Sequence, residues 1–173
     1  GVYFFSTAVT AAEAAEEANW TVSAIRGYPI SYPVIYDCEG FSSADSRMSG
    51  TDAAARTDNA LAFLKTVADN GYEGMFYAAK NELEDSSCWQ TERISEKYHI
   101  MVARYTTPAY PQTPSPGYGG KYSAWQYTNR GRVNGISGNT DLIVSYFTRE
   151  KTAPKDKKAR PTDSAAPSED DSI

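Results

Sequence analysis

The chain has 173 residues, a net charge of −5 and 13 tyrosines. Its length allows one domain with a real hydrophobic core. The negative charge argues against nucleic-acid partners, whose phosphates require clustered Lys and Arg. No apolar run approaches the roughly 20 residues that span a bilayer, so we expect no membrane insertion. Tyrosine joins an apolar ring to a polar hydroxyl, and this abundance fits a sugar-binding groove, although any single Tyr can simply pack a strand.

The first part of the chain alternates strand and helix signals. Thr10-Ala-Ala-Glu13 is a capping box that opens an Ala-rich helix. Gly71 provides a C-terminal stop for a second helix. The predicted elements are strand 2–6, helix 10–25, strand 32–36, loop 40–50 and helix 52–70.

The second part loses its helices while the strands continue. We predict strand 74–79, a poorer helix 82–98, strand 100–105, a Pro- and Gly-rich loop 106–120, and strands 122–127 and 142–147. Strands that alternate with helices indicate βα units and a parallel sheet, hence an α/β fold. The pattern predicts a barrel that ends in strands alone. Because the chain opens directly on a strand, we expect further sequence upstream.

The composition changes near residue 148. Residues 149–173 are charged and then rich in Pro, Ser and acidic side chains, so they cannot bury a core. We therefore predict a globular domain over 1–148 and a disordered linker or tail over 149–173.

Asp37 and Glu39 follow the apolar run Pro33-Val-Ile-Tyr36. Side chains alternate along a strand, so the two carboxylates share a face, roughly 6.5–7 Å apart, while Cys38 points toward the helices. In parallel barrels, reactive groups lie at the carboxyl ends of strands. Two like charges this close raise at least one pKa, and glycosidases need one protonated and one ionised carboxyl group. The alternative is that both residues are loop positions capping the next helix.

Several segments in order resemble glycoside hydrolase family 25, the bacterial and phage N-acetylmuramidases. The resembling segments are Gly1-Val-Tyr-Phe-Phe5, Pro33 to Glu39, Gly71-Tyr with Met75-Phe-Tyr77, Val102-Ala-Arg-Tyr105, Trp125-Gln-Tyr-Thr128, Gly135-Ile-Ser-Gly138 and Asp141-Leu142. They are similar to the family's third to eighth strands. The resemblance implies a TIM-like (β/α)5(β)3 barrel that lacks about its first two βα units here.

The resemblance also implies an activity: cleavage of the β-1,4 bond between N-acetylmuramic acid and N-acetylglucosamine in peptidoglycan. Glu39 matches the general acid. Asp37 matches the carboxylate that supports the substrate's own acetamido group, which acts as nucleophile so that configuration is retained. Asp141 matches a further acidic residue, with a turn or strand-start role as the alternative.

The resemblance places substrate-binding positions in the cleft at Tyr77, Tyr105, Trp125 and Gln126. Core packing is the alternative for each of them. Arg104 is a candidate contact for a lactyl or peptide carboxylate, or else a solvated or ion-paired side chain. Tyr3 either lines the floor of the site or packs.

No cofactor or metal is expected, because the chain has one His and no CxxC or HxxxH spacing. We predict a structural role for His99. We interpret Cys38 and Cys88 as reduced packing residues, with a disulfide between them as the alternative. One departure from the family is that its first-strand aspartate has no counterpart here. That leaves open a wall-binding module without catalysis, or a glycosidase acting on another polysaccharide such as chitin. We expect an extracellular or wall-associated monomer.

Overall fold

The computed structural model describes residues 1–146, which form one six-stranded sheet curled into a half-barrel. The strands follow chain order across the sheet, β1 to β5 run parallel, and β6 is antiparallel to β5. The elements are β1 (Val2–Phe5), α1 (Ala11–Ile25), β2 (Val34–Asp37), α2 (Ala53–Asp69), β3 (Gly74–Ala79), α3 (Lys80–Leu83), α4 (Thr91–Ser95), β4 (His99–Ala103), β5 (Ala124–Gly131) and β6 (Thr140–Ser145). This confirms the α/β class and the ending in strands alone.

The two long helices begin and end where the sequence predicts. Thr10 caps α1 by accepting the Glu13 amide at 3.2 Å, and the Glu13 carboxylate reaches back to the Val9 amide at 2.9 Å. Asp52 caps α2 by accepting the Ala55 amide at 2.8 Å. Gly71 has a φ of +79°, which a side chain would disfavour, and it ends this helical unit.

The single helix predicted over 82–98 is wrong, since two short helices, α3 and α4, stand in its place. Asp85 interrupts it, because its carboxylate accepts the Ser87 amide at 2.8 Å in a local turn that competes with helical bonding. Trp89 then enters the core, where its ring lies edge-on to Phe76 with centroids 4.8 Å apart. Burying that indole fixes the chain in a non-helical path.

The later strands are shifted from their predicted bounds. β4 ends at Ala103, so Arg104 and Tyr105 leave the sheet at its carboxyl edge. β5 begins two residues later than predicted and runs on to Gly131, while β6 begins at Thr140. The tail predicted over 149–173 lies outside the described residues. Among the residues described, no helix has both the length and the apolar character to cross a membrane.

The sheet has two unlike faces. One face carries Tyr36 and Cys38 and packs against Phe63 and Leu64 of α2 in the main core, where all four are fully buried. The inner face of the half-barrel holds a smaller apolar cluster of Met75, Met101 and Ala124, with Ile35 and Tyr77 packed against it. Alternation along β2 therefore sends Asp37 to the inner face and Cys38 under the helices, as predicted. Both Cys38 and Cys88 are free thiols.

His99 opens β4 at the amino edge of the sheet and links three strands. Its Nε2 lies 2.8 Å from a Glu73 carboxylate oxygen just before β3, and its Nδ1 lies 2.7 Å from the Ser123 hydroxyl just before β5. This edge is opposite to the one where Asp37 lies. The contacts support the structural reading of His99.

We expect His99→Ala to lower the free energy of unfolding by about 1–2 kcal/mol, because Glu73 and Ser123 each lose a hydrogen-bond partner. The midpoint of urea unfolding, measured at constant slope, reports this loss. His99 is partly exposed, so a larger loss is not expected. An unchanged midpoint would mean that the link contributes nothing.

Candidate active site

Asp37 is the last residue of β2, and Glu39 follows it at the carboxyl edge of the parallel strands. In the strand register, Phe5, Asp37 and Tyr77 lie side by side on neighbouring strands. The next helix is capped by Asp52, so the reading of Asp37 and Glu39 as helix caps is wrong. Both carboxylates instead stand at the edge where parallel barrels carry their reactive groups.

Asp37 has an unusual environment for a carboxylate. It is half-buried, and its Oδ1 atom is buried without a hydrogen-bond partner among residues 1–146. Burial, and after it the nearby charges of Glu39, Asp141 and Glu82, raise the pKa of Asp37 to about 7. The sequence predicted that at least one of the paired acids would have a raised pKa, and the structure assigns that shift to Asp37.

Glu39 is exposed and lines a cleft of about 520 Å³. The remaining lining residues come from the carboxyl ends of β3 and β4 and the segments after them: Tyr77, Ala79, Lys80, Asn81, Glu84, Ala103, Arg104 and Tyr105. The Glu39 residue is exposed to solvent as well as lining the cleft. A polymer chain can therefore approach Glu39 without entering a closed cavity.

Gln126 of β5 joins two tyrosines beside Glu39. Its side-chain carbonyl accepts hydrogen bonds from the Tyr77 hydroxyl at 3.1 Å and the Tyr105 hydroxyl at 2.8 Å. Burial raises the pKa of the Tyr77 phenol, and the Glu39 carboxylate, which approaches its hydroxyl, raises it further. The structure thus brings four of the predicted site residues into one connected group.

The other predicted site residues differ in how close they lie to the cleft. Asp141 lies near the start of β6, and its charge raises the pKa of both Asp37 and Tyr105, so it belongs to the same edge. Arg104 lines the cleft and donates to the Pro116 carbonyl at 2.7 Å. Tyr3 is 70% exposed on the inner face, in register with Ile35 and below the level of Asp37.

Trp125 is a correction to the predicted site. It is fully buried, and its indole nitrogen donates to the Arg104 carbonyl at 2.8 Å. It lies one residue before Gln126 and so on the opposite face of β5, where Tyr110 meets it edge-on at 5.8 Å. A ring covered on both sides cannot stack on a sugar, so Trp125 packs beneath the 104–123 segment.

A family model described as glycosyl hydrolases family 25 matches residues 1–136. The chain belongs to glycosyl hydrolase family 25. A search of curated proteins found no match.

This chain aligns over most of its length with solved structures of similar fold, but it covers only part of the length of those structures. The CTP1L endolysin is 27% identical with a TM-score of 0.59, over 83% of this chain and 45% of that one. GHIP, a glycosyl hydrolase 25 of Streptococcus pneumoniae, is 20% identical with a TM-score of 0.60, over 83% and 56%. A lysozyme of Streptomyces coelicolor is 20% identical with a TM-score of 0.62, over 84% and 66%. The chain spans about half the length of the first two.

The family 25 match contains most of the candidate site but not all of it. Asp37, Glu39, Tyr77 and Gln126 lie within residues 1–136, whereas Asp141 lies beyond them. Among the residues described, no group of three or more His, Cys, Asp or Glu side chains could hold a metal ion.

Sequence reasoning missed Glu82 of α3. This half-buried carboxylate accepts the Ala79 amide at 3.3 Å. Burial raises its pKa, and the charge of Glu39 raises it further, so it faces the same group of acids. The available signal was its place just after β3, next to the strand that carries Asp37, because the segments after parallel strands meet at one edge.

Proposed function

We propose that this family 25 chain cleaves peptidoglycan as an N-acetylmuramidase, breaking the β-1,4 bond between N-acetylmuramic acid and N-acetylglucosamine. The observation that carries the proposal is the pairing of an exposed carboxyl group, Glu39, with a half-buried one, Asp37, at one strand end. Two carboxyl groups in unlike environments are what glycoside hydrolysis uses. One of the similar structures, the Cpl-1 endolysin, was solved with a peptidoglycan analogue.

Glu39 is the better placed of the two to act as the acid. It lines the open cleft, so a glycosidic oxygen can come within hydrogen-bond reach of its carboxyl group. Its proton passes to that oxygen as the bond to the sugar's anomeric carbon breaks. The substrate's acetamido oxygen closes on the same carbon to give an oxazolinium ring. Water then opens the ring, with Glu39 taking back the proton, and the configuration is retained.

Asp37 supports the acetamido group in this scheme. Asp37 is only half-buried, so an acetamido N–H can donate to the part of its carboxylate that solvent reaches. In its ionised form, Asp37 also stabilises the positive charge that develops on the oxazolinium ring. The nearby charge of Asp141 gives the same stabilisation at longer range. The roles of Tyr77, Tyr105, Gln126, Arg104 and Tyr3 are to hold the glycan in the cleft.

The direct test is digestion of purified cell walls, followed by mass spectrometry of the products. A muramidase releases fragments with muramic acid at the reducing end. Reducing glucosamine ends, or products from chitin alone, would replace this proposal with another glycosidase. Binding to insoluble peptidoglycan without release of reducing sugar would indicate a wall-binding module instead. From this proposed substrate we also propose that the protein acts outside the cell or at the cell wall.

We expect Gln126→Met to raise KM by roughly 5–150-fold, because the half-buried Tyr77 phenol and the exposed Tyr105 phenol both lose their shared acceptor, at about 0.5–1.5 kcal/mol for each hydrogen bond. Gln112→Met, at an exposed loop position, is the matched control and should leave KM unchanged. Initial rates across a range of soluble glycan concentrations separate KM from kcat. A Gln126→Met variant with normal KM would remove Gln126 from the glycan contacts.

A further inference from the structure

Arg56 of α2 is a buried cation whose hydrogen-bond acceptors are unusual. Its residue is 6% exposed, and among residues 1–146 no carboxylate forms an ion pair with it. Burying a guanidinium without an anionic partner is costly unless its donors are otherwise satisfied. The hydrogen bonds that satisfy the Arg56 donors therefore indicate what a buried arginine contributes at this position.

Those contacts join two loops at the active-site edge. The Arg56 guanidinium donates to the Thr51 carbonyl at the end of the loop that follows Glu39. It also donates to the Ser87 carbonyl at 2.8 Å and to the Cys88 carbonyl at 3.1 and 3.2 Å, in the loop that follows α3. The planar fork of the arginine donates to three separate carbonyls on two loops. The compact ammonium group of a lysine lacks this geometry.

Two aromatic rings complete the arrangement. The Arg56 guanidinium carbon lies 4.3 Å from the centroid of the Phe41 ring and 5.9 Å from that of Trp89. Phe41 and Trp89 meet edge-on with centroids 5.4 Å apart, and both are almost completely buried. Cation–π attraction is strongest where the cation is desolvated, as it is here. We call Arg56, Phe41 and Trp89 the Arg56 clamp.

Glu39 is tied directly to this clamp through the backbone. Phe41 follows it by two residues, and Gly40 between them has a φ of +68°, a left-handed conformation that makes a sharp turn. On the other side, Asp37 is fixed by pairing of β2 with β1 and β3. The chain carrying the exposed Glu39 is therefore fixed two residues before it by the sheet and two residues after it by the buried Phe41 ring.

We propose that the Arg56 clamp positions Glu39 at the cleft, so that Arg56 and Phe41 are positioning residues for the hydrolysis proposed above, on which this inference rests. Neither side chain lines the cleft, so both act through the backbone of residues 39–41. Displacement of a reacting group by about 1 Å can cost roughly 10²-fold in rate. The clamp also joins the Glu39 loop to the segment after Glu82, so both carboxylates depend on it.

The test compares Arg56→Met, Arg56→Lys and Phe41→Leu with Val67→Ala in the full chain. Val67→Ala opens a cavity in the same helix, at a buried position of the main core rather than in the clamp, and serves as the control for lost stability. We expect the first three variants to lower kcat about 10- to 100-fold with KM within about twofold, measured well below each unfolding midpoint. Lysine should rescue little, and Val67→Ala should keep its kcat.

A second readout needs no activity. Amide hydrogen exchange at Gly40 and Phe41 should accelerate at least about tenfold in the clamp variants and remain as in the parent chain in Val67→Ala. If Arg56→Met does not fold, Phe41→Leu carries the same comparison. Unchanged exchange at residues 39–41 overturns the clamp. Normal kcat in a clamp variant of an active chain overturns it too, and leaves the proposed hydrolysis standing. An inactive parent chain overturns the hydrolysis alone, since exchange still tests the clamp.

Discussion

Glu39→Gln should abolish wall cleavage almost completely, lowering kcat by about 10²–10⁴-fold, the usual contribution of a positioned proton donor. The amide keeps the size and shape of the carboxyl group but cannot transfer a proton to the leaving oxygen. Release of reducing sugar from purified peptidoglycan measures this loss. Glu16→Gln makes the same chemical change on the exposed side of α1 and should leave the rate untouched.

A second substrate sharpens this prediction. An aryl glycoside with a nitrophenol leaving group departs without protonation, so Glu39→Gln should cleave it with a much smaller loss than it shows on walls. Equal losses on both substrates would show that Glu39 acts in some other way than as a proton donor. Undiminished wall cleavage would remove Glu39 from the mechanism.

Asp37→Asn should lower kcat by about 10²–10³-fold, as expected for the loss of a preorganised group that stabilises developing charge. The same change should stabilise the fold at pH 8. Burial and three neighbouring carboxylates raise the pKa of Asp37 to about 7, from 3.8 in the unfolded chain. Between these values the folded state binds more protons than the unfolded state, so this group makes stability fall as pH rises from about 4 to 7.

Asparagine carries no charge at this position, so the Asp37→Asn protein lacks this fall in stability with rising pH. Because Asp37 is only half-buried and solvent screens its charge, we expect a gain of roughly 1–2 kcal/mol at pH 8 and none at pH 3.5. Urea unfolding of both proteins at the two pH values measures the difference. Asp45→Asn, in the exposed part of the loop after Glu39, should show no gain. A less stable Asp37→Asn protein at pH 8 would contradict the raised pKa.

Local sequence signals were sufficient for the parts of the fold that have local causes. The cap at Thr10 and the stop at Gly71 are short-range hydrogen-bonding and backbone effects, and both predictions are confirmed. The helix predicted over 82–98 failed because a local turn at Asp85 and the burial of Trp89 outweigh helix propensity. The partners that cover Trp89 come from distant segments, which no window of sequence contains.

The site divides in the same way. Strand alternation predicted Asp37 on the inner face, whereas Tyr77, Tyr105 and Gln126 were expected in the cleft only from the resemblance to family 25, and the structure joins these three side chains by hydrogen bonds. Trp125 was misplaced, although a strand that puts Gln126 on the inner face must put its neighbour outside. Arg56 had no signal at all, since a positive charge inside a helix reads as solvent-facing until the loops that enclose it are known.

The triplet Asp37-Cys38-Glu39 also has a consequence for assembly of the sheet. Cys38 is fully buried, and this burial raises the pKa of its thiol to about 12. A negative charge on the helix side of β2 is therefore unfavourable. A slip of one residue in the pairing of β2 would bring both carboxylates beneath the helices and expel the thiol. Asp37 and Glu39, the residues proposed for chemistry, therefore also disfavour a misaligned register of β2, since a misaligned sheet would have to bury two unpaired acids.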